Sequence, residues 1–344
     1  MNVTFMIGNG FDLRLGMKTR YTDMYDGYIS TPSDNEIIEI FKATLKSDSS
    51  QKYQTWGDFE IAMAHHAKNF KKEEDFISCV RDFKMYMSDH LQNEQKSFIA
   101  KLEECGKKFF ADEMVKSLRS FYVGQTPNVR NAINQIGNIN RAFFQFVTFN
   151  YTNVLERLLY GIPLEPFFVK HERPIHIHGI INSDIVLGAD NISQLGQLPF
   201  KITRKLERAF IKPKFNLQYD KTRVEETQRA IDQADIICIY GMSLGESDKT
   251  WIDKISSWLI DNDSHHLIYY HYSDKSFQGW EIDKKMDKED ELKESLLVKL
   301  NIPLERREEI FEQIHIPVGY DIFNFVEVMN NRPKPPKDMG KLAV

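Results

Sequence analysis

Cysteine is scarce in this sequence. The three among 344 residues, Cys79, Cys105 and Cys238, lie far apart and form no C-x-x-C pair. That excludes a cysteine-based zinc module and a disulfide framework, and it predicts a reduced, cytoplasmic protein. No apolar run approaches the roughly 18 residues of a membrane span, and no secretory apolar stretch precedes the first strand-like segment. Neither charge sign dominates: 45 Lys and Arg stand against 50 Asp and Glu, a net charge of −5. That balance gives no overall attraction to nucleic acid or to an anionic membrane. Internal repeats are absent, as are an H-E-x-x-H motif and a paired acidic ladder. What is present is 42% hydrophobic and 12% aromatic residues, enough for one large domain or two smaller ones.

The most informative stretch runs from Asn2 to Gly16. Val3, Phe5 and Ile7 form an apolar run that stops abruptly at Gly8-Asn9-Gly10, which predicts a buried strand entering a tight turn. Glycine takes positive φ easily and lets a ligand lie against the main chain. A strand, such a turn and a helix N-terminus together hold phosphates in α/β folds. Gly8 and Gly10 fit G-x-G, but Leu13 stands where the third glycine of the dinucleotide fingerprint belongs. The same residues also read as a plain strand-to-helix turn.

Beyond this stretch, residues 21–29 predict a helix, with Ser33 or Asp34 as N-cap of the next one. Residues 36–130 are helical in pattern: Phe76, Val80, Phe83, Met87 and Leu91 keep helical spacing, as do Phe98, Leu102, Cys105 and Phe109. Strand signals resume at 144–149, with Thr152 a cap for a helix over 153–160, and continue at 174–178 and 185–188. A charged helix at 222–233 precedes the most hydrophobic strand, 235–240. Further on come a helix at 249–260, a strand at 267–272, two charged helices and a short strand or turn near 316–318. Alternating strands and helices predict an α/β fold with a Rossmann-like parallel sheet and a large helical insertion. The α/β nucleotide-binding domain takes residues 1–30 and 136–330, the insertion 31–135, and an extended tail 331–344.

Parallel sheets bind ligands beyond the carboxyl ends of their strands. Four strand ends are small or polar: Gly8-Asn9-Gly10, Asn150-Tyr151, His178-Gly179 and Gly241-Met242-Ser243. An amide such as Asn150 can orient a ribose hydroxyl or a water. An imidazole such as His178, ordinarily titrating near pH 6.5, can act as general base. The Gly10 N–H and the Ser243 hydroxyl are candidates for phosphate, and Asp12 for ribose or for ordering the turn. Each has a bland reading as well. Asn150 can cap a strand, Asp12 a helix, and Asp248 the helix at 249–260. His176 and His178, two apart on a strand, are expected on one face, where one can be a satisfied core histidine. Trp56, Asp58 and Glu60 open the insertion and read either as core or as cavity wall.

Five blocks together carry a resemblance. They are Ile7-Gly-Asn-Gly-Phe-Asp12 with Gly16 and Thr19-x-Tyr21, Trp56-x-Asp58-Phe-Glu60, Phe149-Asn-Tyr-Thr152, His176-Ile-His-Gly179, and Tyr240-Gly-x-Ser-Leu-Gly-x-Ser-Asp248. In this order they resemble the AbiH family of bacteriophage abortive-infection proteins. The chain departs at Met242, where many members have His, and at Lys18, where Pro is common. More distantly the blocks resemble the sirtuin-like NAD-binding fold, though Thr152 stands where that fold has an acid and its four-cysteine zinc module is missing. The resemblance implies NAD or a related dinucleotide as ligand, with no metal. It implies cleavage of the N-glycosidic bond by Asn150 and His178. Gly8, Asn9, Gly10, Asp12, Gly179, Gly241, Ser243 and Asp248 would surround the nucleotide. It also implies restraint before infection, by homo-oligomerisation or by the insertion covering the site, until a phage-derived trigger acts. Two other classes stay open: a non-enzymatic nucleotide-sensing module, and a metal-dependent phosphoester hydrolase built on His176 and His178 with Asp12 or Asp248.

Overall fold

A computed structural model describes residues 1–49, 59–138, 141–160, 170–272, 277–278 and 280–325. Trp56, Asp58 and the tail at 331–344 lie outside the described residues. The sheet is built from seven strands, all parallel: β1 (Asn2–Ile7), β2 (Phe143–Thr148), β3 (Lys170–His171), β4 (Ile175–His176), β5 (Ile236–Tyr240), β6 (His266–Tyr270) and β7 (Ile314–His315). Their spatial order is β3-β2-β1-β5-β6-β7, and β4 pairs with the far end of β2. This is the Rossmann-like arrangement with a large helical insertion that the alternation predicts. The strand at 185–188 does not form; Val186 instead bonds its N–H to the His178 carbonyl at 2.9 Å within a loop.

Helices cover both faces, which is why the central strands are apolar almost throughout. Val3, Phe5 and Ile7 of β1 join one core with Phe144, Phe146 and the helix Lys107–Ser120. Met6 points the other way, into a core with Ile237, Ile239 and the helices Lys221–Asp232 and Lys249–Asp261. Thr4, the polar residue within β1, is satisfied by donating to the Ala230 carbonyl at 2.7 Å. A third core holds Phe59, Phe76 and Phe83 of the insertion together with Leu187, Leu206 and Phe210. The helix Glu73–Cys105 has 33 residues and is therefore about 50 Å long. It joins two cores, with Phe76 to Leu91 in the third and Phe98 and Leu102 in the first.

Three sequence expectations shift by a residue or two. Asn35, not Ser33 or Asp34, caps the helix Glu36–Ser49 by accepting the Ile37 N–H at 3.0 Å. Phe109 is not on the core face: Gly106, at φ +85°, ends one helix and restarts the next, so Phe110 is buried instead. The last strand lies at Ile314–His315, and the chain turns just after it, at 318–319. Among the described residues no helix is long and apolar enough to cross a membrane.

Candidate active site

Strand register brings the four predicted strand ends to one edge. Ile7 pairs with Thr148 on one side and Tyr240 on the other, and Thr148 pairs with His176. The residues just beyond these four therefore lie abreast. The chain reverses its order between β1 and β5, which is the switch point where open α/β sheets bind ligands. A cavity of about 580 Å³ opens there, within the range of small-molecule sites. Its floor is the sheet edge, and its opposite wall comes from Tyr21, Met24, Glu60 and Leu91 of the helices.

The first glycine turn does not do what G-x-G predicts. Gly8 donates its N–H to the Tyr240 carbonyl at 2.9 Å, and Gly10 to the Gly241 carbonyl at 2.8 Å. The Gly10 N–H is thus not free for phosphate. A Cβ on Gly10 would lie 2.5 Å from Gly241 Cα, and Gly241 itself has φ +69°. These glycines let two strand ends pack backbone to backbone. The helix that follows, Gly10–Arg14, has only five residues, too short for a strong N-terminal anion site. Asn9 lines the cavity, but its amide is bonded to Thr19, donating to the carbonyl at 3.0 Å and accepting the hydroxyl at 2.6 Å. Its role is to hold the loop before Tyr21.

Asp12 and Asn150 form the floor between these turns. Both are buried. Thr152 donates its hydroxyl to Asp12 Oδ2 at 2.7 Å, so it joins β2's end to the first helix instead of capping residues 153–160. Asp12 Oδ1 and both amide atoms of Asn150 reach hydrogen-bond geometry with no described protein group. Buried polar atoms are rarely left so, and each costs on the order of 1–3 kcal/mol until paired. Burial pushes the Asp12 carboxyl up to about 6, against the opposing pull of the Thr152 hydroxyl and the nearby Asn150 amide.

His178 closes the second side. Its Nε2 lies 3.1 Å from Asp248 Oδ1, and its ring meets Phe149 edge to face at 5.2 Å. Asp248 caps no helix with its side chain; it accepts Lys212 Nζ at 2.8 Å, and Lys212 reaches Glu60 Oε2 at 2.9 Å. Glu60 also accepts the Gly188 N–H at 3.1 Å, beneath the Tyr151 hydroxyl. Burial alone would raise the Asp248 carboxyl, but the Lys212 ammonium and His178 hold it well below the usual carboxylate range. Burial would equally lower Lys212, and the two carboxylates overcome it and raise the ammonium. The result is a continuous buried chain, His178–Asp248–Lys212–Glu60, in which every charge is partnered.

The remaining predicted residues divide. Ser243 lines the cavity from an exposed turn, in which Leu244 takes φ +54°. Gly179 does not line it. With φ +75° it turns the chain, and a Cβ there would lie 1.8 Å from the Asp184 carbonyl oxygen. His176 and His178 do not share a face, because β4 ends at His176 and the chain turns. His178 lines the strand-end cavity; His176 lines a separate one and bonds through Nδ1 to the Asn150 carbonyl at 3.4 Å. Burial lowers the His176 pKa, keeping its ring neutral. Sequence reasoning missed Lys212, Tyr151 and Arg20. Lys212 has no local signal, while Tyr151 sits inside one of the five blocks and Arg20 is the unspecified residue of Thr19-x-Tyr21.

A sequence profile described as "Bacteriophage abortive infection AbiH" matches residues 4–271, which span both the sheet edge and the charged chain. No curated protein matches the chain. With most of its length matched, the chain belongs to the AbiH family of bacteriophage abortive-infection proteins.

Proposed function

We propose that this abortive-infection protein binds NAD or a related dinucleotide at the strand-end cavity and hydrolyses its N-glycosidic bond. One observation carries the reading. An amide with unmade hydrogen bonds, Asn150, and an imidazole oriented by a carboxylate, His178, border one cavity at the sheet's switch point. The arrangement suits a ribose. Asn150 holds a ribose hydroxyl, satisfying atoms that the protein leaves unpaired. Asp248 takes the Nε2–H of His178, which fixes the tautomer and leaves the Nδ1 lone pair as base.

Nicotinamide is a cationic leaving group, so no acid is needed to expel it. The C1′–N electron pair moves onto the ring nitrogen and neutralises it, through an oxocarbenium-like transition state. Water bonds to C1′ and its proton passes to His178. The Gly10 turn offers no phosphate cradle, so we assign the phosphates to Ser243 and to exposed Arg20 at the cavity mouth. Loss of NAD then halts growth and phage production.

The test is nicotinamide release from NAD, NADP and nucleotide sugars by purified protein, with and without lysate of phage-infected cells. Release by the wild type that is lost in Asn150→Ala and in His178→Ala supports the assignment. NAD binding without release points to a sensing module instead. Release retained in both variants rejects the site.

A further inference from the structure

The charged chain through Lys212 leaves no carboxylate to spare, but the floor does. Asp12 is buried, reaches the cavity, and spends only one carboxylate oxygen on the Thr152 hydroxyl. Its other oxygen and both atoms of the adjacent Asn150 amide are without partners among the described residues. An amide can face a ligand as donor or as acceptor, and what decides is the group behind it. An ionised carboxylate only accepts, so it draws the amide N–H inward; a protonated one donates and draws the amide oxygen inward.

We infer that Asp12 is a positioning residue for Asn150: its carboxylate, anchored by Thr152, accepts the Asn150 amide N–H and leaves the amide oxygen as the atom offered to the ligand. The ligand group that fits is then a hydrogen-bond donor, such as a ribose hydroxyl. This rests on the proposed NAD reading for the ligand's name but not for the orientation. Protonation of Asp12 reverses the amide's polarity and turns the site against a donor. The floor thereby carries its own acid-side switch, separate from His178.

The surroundings leave that switch to Asp12 and its two partners. On its own short helix Arg14 is committed to Asp321 at 2.9 Å. Around the same cavity stand Arg20, Tyr21 and Glu60 on the helical wall, Tyr151 beyond β2, and His178 and Asp248 across from it. Burial raises the Asp12 carboxyl, and the Thr152 hydroxyl and the nearby Asn150 amide oppose it.

The test uses the full chain with Thr152→Val, which keeps the shape and removes the hydroxyl, and Asp12→Asn. Where nicotinamide is released, the acid limb of kcat/KM is expected to move up by about one pH unit in Thr152→Val, since the ionised carboxylate loses a donor. In Asp12→Asn the Asp12 contribution to that limb is expected to disappear, leaving only that of the His178 base, with kcat about 100-fold lower. A merely structural role would lower rates without moving the limb, and an unmoved limb overturns the inference. If the wild type releases nothing, the functional reading fails by itself, and the orientation is read by NMR. The Asn150 side-chain amide signals of the wild type should titrate with the midpoint of the Asp12 carboxyl carbon. Amide signals that ignore that midpoint would refute it.

Discussion

The floor and the wall of the cavity are built on opposite principles. On the wall, Glu60, Lys212, Asp248 and His178 come from four separate elements, and every charge has a partner within 3.1 Å. On the floor, Asp12 comes from the short helix after β1 and Asn150 from the end of the adjacent β2, and both keep unmade bonds. The difference separates stability from recognition. Paired buried charges hold their geometry in place and have nothing left to give a ligand. Unpaired buried groups cost stability, and a ligand that satisfies them recovers it.

Substitutions in the two regions should therefore move stability in opposite directions. Lys212→Met strips the cation from between two buried carboxylates. It should destabilise the fold by about 3–5 kcal/mol in urea unfolding, with loss of any His178-dependent activity. A variant as stable as the wild type would show that the wall is not held by this chain. His178→Ala leaves Lys212 on Asp248, so it should lower nicotinamide release about 100- to 10,000-fold at a smaller cost in stability. Equal losses in both would erase the distinction.

Asp12→Asn is the reverse case. The folded state raises this carboxyl from 3.8 to about 6, so folding favours the protonated form. The penalty on the ionised form is fully present above about pH 6 and is relieved as pH falls toward 4. Asp12→Asn should gain about 2 kcal/mol at pH 7.5, with the gain fading between about pH 6 and 4, as thermal unfolding across pH would reveal. A variant less stable at both ends would place Asp12 with the wall. The smallest effect belongs to Arg20→Ala at the exposed mouth. It should raise KM about 3- to 10-fold at low salt and less as salt screens it, with kcat unchanged.

The same contrast explains what was readable in the sequence. The sheet edge could be read because a strand's last residues are local: Gly8, Asn150, His178 and Gly241 each follow an apolar run, and parallel pairing brings such ends together. Their individual roles were less legible. Gly10 matches a phosphate motif, yet its N–H goes to Gly241, 231 positions away. Thr152 has the chemistry of a cap, yet its hydroxyl finds Asp12, 140 residues distant. The wall was nearly silent. Lys212 sits among Ile211, Pro213 and Lys214, with nothing to mark it as buried between two acids. Glu60 had a hint from its place in a block, and His178 and Asp248 were candidates, but nothing showed that a lysine joins them. Helix phase failed where Gly106 reset it and moved the core position from Phe109 to Phe110.

The central claim is that the cavity at the switch point cleaves a ribose–base bond with Asn150 and His178. Its most direct measurement is nicotinamide released from NAD by wild type, Asn150→Ala and His178→Ala, each with and without infected-cell lysate. The account predicts release by the wild type and loss in both variants, with all three folded. Undiminished release by both variants, or none from the wild type in either condition, would contradict it.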